Sequence, residues 1–190
     1  MLKANFITAQ EAAEKIQDGS ILCTIGMTLV SASESILKAI EKRFETVGHP
    51  ADITLVHSCG QSDRKDGIQH LAHEGLVKRI VGSHWGLQPR WMEMIANSQV
   101  EAYCLPQGQI AQLYRSMACG LPGKMSKVGL GTFIDPRVEG GKMNDRTKPL
   151  PDLVDILEYG GEEYMFYKEI PLDTVLIRGT VCDEMGNLTT

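Results

Sequence analysis

Apolar and polar positions follow two rhythms over the first two thirds of the chain. Thr8-Ala9-Gln10-Glu11 has the Thr-x-x-Glu spacing of a capping box, and Ala12, Ala13 and Ile16 then share one face until Asp18-Gly19 stops the pattern. This predicts a first helix. Ile21-Leu22-Cys23-Thr24-Ile25 is an apolar run too short for a helix and ends at Gly26, which predicts a strand. Ser31-Ala32-Ser33-Glu34 repeats the capping spacing ahead of Ile36, Leu37, Ile40 and Phe44, so a second capped helix is expected.

The alternation continues. Ile53-Thr54-Leu55-Val56 reads as a strand, Ser58 to Asp66 as a polar loop, residues 68–73 as a short helix and residues 77–81 as another strand. Residues 89–97, with Trp91, Met92 and Ile95, predict a helix leading to the strand Val100-Glu101-Ala102-Tyr103-Cys104. Leu105-Pro106-Gln107-Gly108 follows, and a helix beginning near Gln109 carries Ile110, Leu113, Tyr114 and Met117 until Gly120-Leu121-Pro122-Gly123 closes it. Strand and helix in turn imply an α/β fold with an open, mainly parallel sheet covered by helices.

After residue 124 glycines and prolines crowd into a loop-rich stretch. There, residues 154–159 and 164–167 flank Gly160-Gly161-Glu162-Glu163 as arms of a β-hairpin. Residues 174–178 predict a buried strand. Met185-Gly186-Asn187 signals a turn, yet only Leu188-Thr189-Thr190 follows, so a hairpin begins and loses its second arm. The expectation is one domain over residues 1–190, truncated at its C-terminal end or completed by a partner, with no internal repeat.

Composition narrows the class. Apolar residues make 43% and charged residues 23% of the 190 positions, ordinary for a globular protein able to bury a sizeable core. The 19 basic side chains are scattered and outnumbered by 24 acidic ones, for a formal charge of -5, which argues against nucleic acid as a partner. No apolar run approaches the ~20 residues of a membrane span, and MLKANFITAQ lacks a signal-peptide core, so a cytoplasmic location is expected. Five cysteines (Cys23, Cys59, Cys104, Cys119 and Cys182) without a Cys-x-x-Cys pair read as reduced thiols, three of them in or beside apolar strands.

Ligands of open α/β sheets bind at the carboxyl ends of the strands. Gly26-Met27-Thr28 lies at such an end, where free backbone N–H groups could face an oxygen anion; a purely steric glycine is the other reading. At Gln107-Gly108, Pro106 ends the strand, Gly108 admits a ligand close to the main chain, and the following helix aims its N-terminal dipole at the same crevice. The Gln107 amide then donates to an oxyanion or a carboxylate without adding charge, or else it faces water. Gly129-Leu130-Gly131 lacks the third glycine of a dinucleotide loop. His70 and His73, with His57 and His84 near other strands, have no carboxylates at His-Glu-x-x-His spacing; they read as neutral, hydrogen-bonded or exposed, and no metal site is predicted. Glu74 reads as a helix terminus.

Several blocks together resemble the family I CoA-transferases, closest to the acyl-CoA:acetate/3-ketoacid enzymes. They are His73-Glu74-Gly75-Leu76-Val77-Lys78, His84-Trp85-Gly86, Leu105-Pro106-Gln107-Gly108, Arg115, Pro122-Gly123, the run from Gly129 to Arg137, and Gly140-Gly141-Lys142-Met143-Asn144. The resemblance implies an open α/β sheet. It also implies transfer of CoA between a short-chain acyl-CoA and a carboxylate such as acetate, through a glutamyl-CoA thioester. By position, Gly26, Met27, Thr28, Gln107 and Gly108 would border the reacting thioester. The nucleophilic glutamate belongs to a second half, so no catalytic residue is assigned here and Glu74 does not take that role. The glycine-rich loop of many relatives is reduced to Gly26. CoA and acyl-CoA enter as substrates with no further cofactor, and the missing C-terminal half and a homo-oligomer are the implied partners. Two other classes stay open: a non-catalytic module binding acyl-CoA or a nucleotide for a partner subunit, and a thioester hydrolase using a cysteine.

Overall fold

The structure, a computed structural model, describes residues 3–189. Helix α1 (Ala9–Glu14) starts at the predicted capping box, with the Glu11 amide donating to Thr8 Oγ1 and Thr8 N–H to Glu11 Oε2. The second predicted capping box does not form. Helix α2 (Glu34–Val47) starts at Ser33, whose side chain makes no capping bond. Glu34 instead reaches sideways, accepting from the Gly67 amide at 2.9 Å and facing His70 Nε2 at 2.8 Å.

Strands β1 (Ile21–Thr24), β2 (Ile53–His57), β3 (Val77–Gly82) and β4 (Glu101–Cys104) form a parallel sheet in the order β4-β3-β2-β1, joined beyond β1 by β8 (Thr174–Leu176). Register carries Leu22, Leu55, Ile80 and Ala102 in one row and Cys23, Val56, Val81 and Tyr103 in the next. Successive residues point to opposite faces. The first row therefore meets α1, α2, a 3₁₀ turn (Gly67–Leu71) and α3 (Pro89–Ala96). The second meets α4 (Gln107–Ala118) and a three-stranded antiparallel sheet of β5 (Gly123–Ser126), β6 (Val154–Tyr159) and β7 (Glu162–Lys168), ordered β5-β7-β6. The predicted hairpin arms are in β6 and β7, but the turn is shorter than expected: Glu162 and Glu163 already pair with Tyr159 and Glu158, which leaves Gly160-Gly161 as the turn. Both faces are covered, as a parallel sheet requires.

Residues 174–178 were expected to be buried, but β8 is an edge strand: Leu176 is buried while Val175 and Ile177 are exposed. The C-terminal hairpin also differs from expectation. Its second arm is present, because β9 (Val181–Cys182) pairs with β10 (Leu188–Thr189) across the predicted turn. Thr190 lies outside the described residues, as do Met1 and Leu2 of the stretch read for a leader. Among the described residues no helix is long and apolar enough to cross a membrane.

His70 and His73 were expected to be neutral, hydrogen-bonded or exposed, without carboxylates at His-Glu-x-x-His spacing; one carboxylate, Asp66, faces His70 Nε2 at 3.4 Å from four residues before it, and two more do not come from spacing. The fold supplies them from α2: His70 is held between Glu34 and Glu41, and His73 Nε2 meets Glu41 Oε1 at 2.9 Å. Lys38 and Arg90 add positive charge beside the same carboxylates. Burial works against the Glu41 carboxylate, but hydrogen bonds from His73 and His70 outweigh it and hold the group below the usual range. A carboxyl lowered on folding contributes stability above its unfolded value, about 4.3, and loses that contribution as pH falls through the folded value. Glu41→Gln should cost about 2 kcal/mol at pH 7 in urea unfolding. Its deficit relative to wild type should shrink as pH drops below about 4.

Candidate active site

The carboxyl ends of β1 to β4 form one crest. After β1, Gly26 has φ 153° and could carry no side chain, since a Cβ would lie 2.8 Å from Val30 O. Its neighbours do not offer the free N–H groups expected of them. Met27 N–H donates to Val30 O at 3.0 Å and Thr28 N–H to Gly60 O at 2.9 Å. Their role at the crest is to fold the loop back on itself and tie it to the turn after β2.

Gln107 and Gly108 are not in a loop ahead of the helix, as the sequence suggested. They are the first two residues of α4, behind Pro106 as N-cap. Pro106 accepts from Gln109 and Ile110, leaving the Gln107 and Gly108 amides as the first-turn donors without an intrahelical partner. Both residues are exposed, and a Cβ at Gly108 would meet nothing within 4 Å. The open backbone and helix dipole thus point outward at the end of β4.

Strand order separates the two predicted pieces. Three strand spacings of about 4.8 Å put the loop after β1 roughly 14 Å from the end of β4. Between them lie the turn 58–60 and residues 83–85. His57, the last residue of β2, is fully buried. Its ring fills the place of the side chain that Gly82 lacks, and it meets Trp85 edge-on at 6.0 Å. Burial pushes the imidazole down to about 4, with His84 adding to the effect.

Thr24 Oγ1, His57 Nε2, Gln61 Oε1, Trp85 Nε1 and Gln109 Oε1 are buried and have no hydrogen-bond partner among the described residues. Each belongs to a strand end or to the segment that follows one. Gathered at one end of the sheet, they give the crest a polar lining beneath its surface. A groove of about 590 Å³ runs beside the loop after β1, lined by Leu29, Ser33, Lys38, Asp66, Ile177 and Arg178.

The cysteines are all free. Burial raises the Cys23 thiol, only partly offset by Tyr114, and pushes Cys104 up to about 11. That is the wrong direction for a thiolate nucleophile. Gly129-Leu130-Gly131 also has a structural purpose, because the Gly131 amide donates to Asp135 Oδ2 at 2.9 Å and Asp135 is paired with Arg137. Glu74 is exposed in the turn after the 3₁₀ segment.

With this geometry in place, comparison with known proteins is decisive. Residues 6–190 match the family described as Coenzyme A transferase. The chain belongs to that family. It is 43% identical over 187 residues to the caffeate CoA-transferase of Acetobacterium woodii, covering 98% of this chain and 35% of that protein. The acyl-CoA transferase (YdiF) apoenzyme from Escherichia coli O157:H7 superposes with a TM-score of 0.93 at 35% identity, over 98% of this chain and 36% of that one. The acetate CoA-transferase subunit alpha of Escherichia coli (strain K12) is 24% identical over 99% of this chain and 76% of its own length. The chain thus spans about a third of the length of the first two relatives.

Two glycines at the crest make opposite predictions for stability. Gly82→Ala drives a methyl into the His57 ring and should cost about 1–3 kcal/mol. Gly108→Ala enters open space in a helix and should leave stability unchanged or raise it by up to about 1 kcal/mol. Urea titrations of both variants check the pair.

Proposed function

We propose that the chain forms the N-terminal portion of a CoA-transferase that moves CoA between a short-chain acyl-CoA and acetate or a 3-keto acid. A glutamate outside these 190 residues takes the CoA as a glutamyl thioester, and this portion lines the pocket. The observation that carries the reading is the open first turn of α4, where exposed Gln107 and Gly108 present partner-free donors at the carboxyl end of a parallel sheet. The extensive likeness to caffeate and acetate CoA-transferases supports the reaction class.

The chemistry suits these groups. Carboxylate attack on a thioester and the return step both pass through tetrahedral oxyanions, so fixed uncharged donors matter more than a base. Gln107 and the Gly108 backbone are the donors we place at the thioester, and the loop Gly26-Met27-Thr28, roughly 14 Å along the crest with its Met27 and Thr28 amides already paired, serves as shaped wall of the same substrate pocket. The transferred group is CoA itself and the donors are amides, so the proposed reaction uses neither a metal nor an organic cofactor. The complete enzyme is expected to be a homo-oligomer, with the second half packed against this one.

The test is steady-state kinetics of the complete protein carrying this region, with a short-chain acyl-CoA and a series of acids. Ping-pong CoA transfer supports the reading; hydrolysis alone, or no turnover with any acid, contradicts it. The isolated 190 residues should show no transfer. Gln107→Ala in the complete enzyme should lower kcat about 10²-fold, roughly 3 kcal/mol of barrier, while KM for the acyl-CoA barely moves. Unchanged kcat with every acid would show the amide facing water.

A further inference from the structure

Three successive carbonyls after β2 each have a defined donor. Ser83 Oγ donates to Ser58 O at 2.7 Å, His57 Nδ1 to Cys59 O at 2.8 Å, and Thr28 N–H to Gly60 O at 2.9 Å. The turn is thereby tied to the loop after β3, to the core and to the loop after β1. In a trans peptide the N–H points opposite to the preceding C=O. Holding the Ser58 and Cys59 carbonyls inward therefore turns the Cys59 and Gly60 amides the other way, and among the described residues neither has a backbone acceptor. Gly60 is itself confined, since a Cβ there would lie 2.6 Å from the His84 ring.

Among the described residues, His57 is the one side chain that bonds the middle carbonyl. Because Nδ1 faces a carbonyl oxygen, Nδ1 carries the proton and Nε2 keeps its lone pair, an assignment that follows from the neighbours. The ring has no exposed surface, so it touches no substrate. Packing alone does not account for it. A leucine would continue the Leu55 face without placing a polar ring in a fully buried position. What a leucine lacks is the Nδ1–H donor.

We propose that His57 is a positioning residue whose Nδ1–H bond to Cys59 O sets the 58–60 turn and, through Gly60 O and Thr28 N–H, the loop after β1. Its catalytic consequence rests on the CoA-transferase reading above; its geometric consequence does not.

The test compares three variants of the complete protein. His57→Asn keeps an N–H donor near the Nδ1 position, His57→Leu removes it, and His57→Gln moves it to the Nε2 position. Misplacing a reacting geometry by about 1 Å costs on the order of 10²-fold, so His57→Leu and His57→Gln should lower kcat by about that factor with KM for the acyl-CoA nearly unchanged. His57→Asn should stay within about threefold of wild type. Hydrogen exchange of the Thr28 amide gives a readout free of activity: at least about tenfold faster in the Leu and Gln variants, unchanged in Asn. If His57→Leu does not fold, the Gln and Asn pair decides. Equal turnover and exchange in the Asn and Gln variants, or wild-type behaviour in His57→Leu, would overturn the proposal. So would a limb in the wild-type pH–rate profile between pH 5 and 9 that vanishes in His57→Asn, since that would make the ring an acid or base. A complete wild-type protein without CoA transfer would sink the transferase reading, and the exchange data would still decide the positioning role.

Discussion

The parallel ladder of β1 to β4 is the constraint on which the rest depends. Its register aligns Leu22, Leu55, Ile80 and Ala102 in one row and Cys23, Val56, Val81 and Tyr103 in the next. A one-residue slip of any strand would carry its apolar set to the wrong face. With both faces buried, register is strongly specified, and the residues just past the rows have no freedom to drift. Thr24 and His57 are paired across β1 and β2 by that register, and Gly82 ends β3 where the His57 ring needs room.

The blocks of sequence that resemble the family divide along the same line. Some line the crest, as Gln107 and Gly108 do. Others keep the sheet closed. The Cys104 amide donates to Gly141 O at 2.7 Å and the Met143 amide to Ala102 O at 3.0 Å, so residues 141–143 cover the outer edge of β4. Asn144 then donates to Ile95 O and Val100 O, each at 2.9 Å. An edge strand left bare invites pairing with other chains, and this loop occupies it. Glycine there is a packing requirement, since a Cβ at Gly141 would lie 2.6 Å from Cys104 O.

Much of this was legible in the sequence because it depends on local patterns. The capping box at Thr8, the apolar runs of β1 to β4 and the arms around Gly160-Gly161 were readable from spacing alone. What was not legible depends on distant pairing. β5, Gly-Lys-Met-Ser, has no strand-like pattern and exists because β7 lies beside it. Ser31 carries the right spacing for a cap, yet its φ of 61° takes it out of line and the helix begins after Ser33. Gln107 was placed before a helix it in fact opens, since Pro106 fits an N-cap as well as a strand end. His57 was one of five histidines; its importance shows only once Gly82 and Trp85 are known to enclose it.

On the CoA-transferase reading proposed above, transfer takes place at the crest formed by the carboxyl ends of β1 to β4. A crystal structure of the complete protein with a short-chain acyl-CoA bound tests it most directly. The thioester carbonyl should lie within about 3 Å of donors in the first turn of α4 or the turn after β2. A thioester bound at the opposite end of the strands, or in the loop-rich groove lined by Pro136, Lys142 and Asp152, would contradict it.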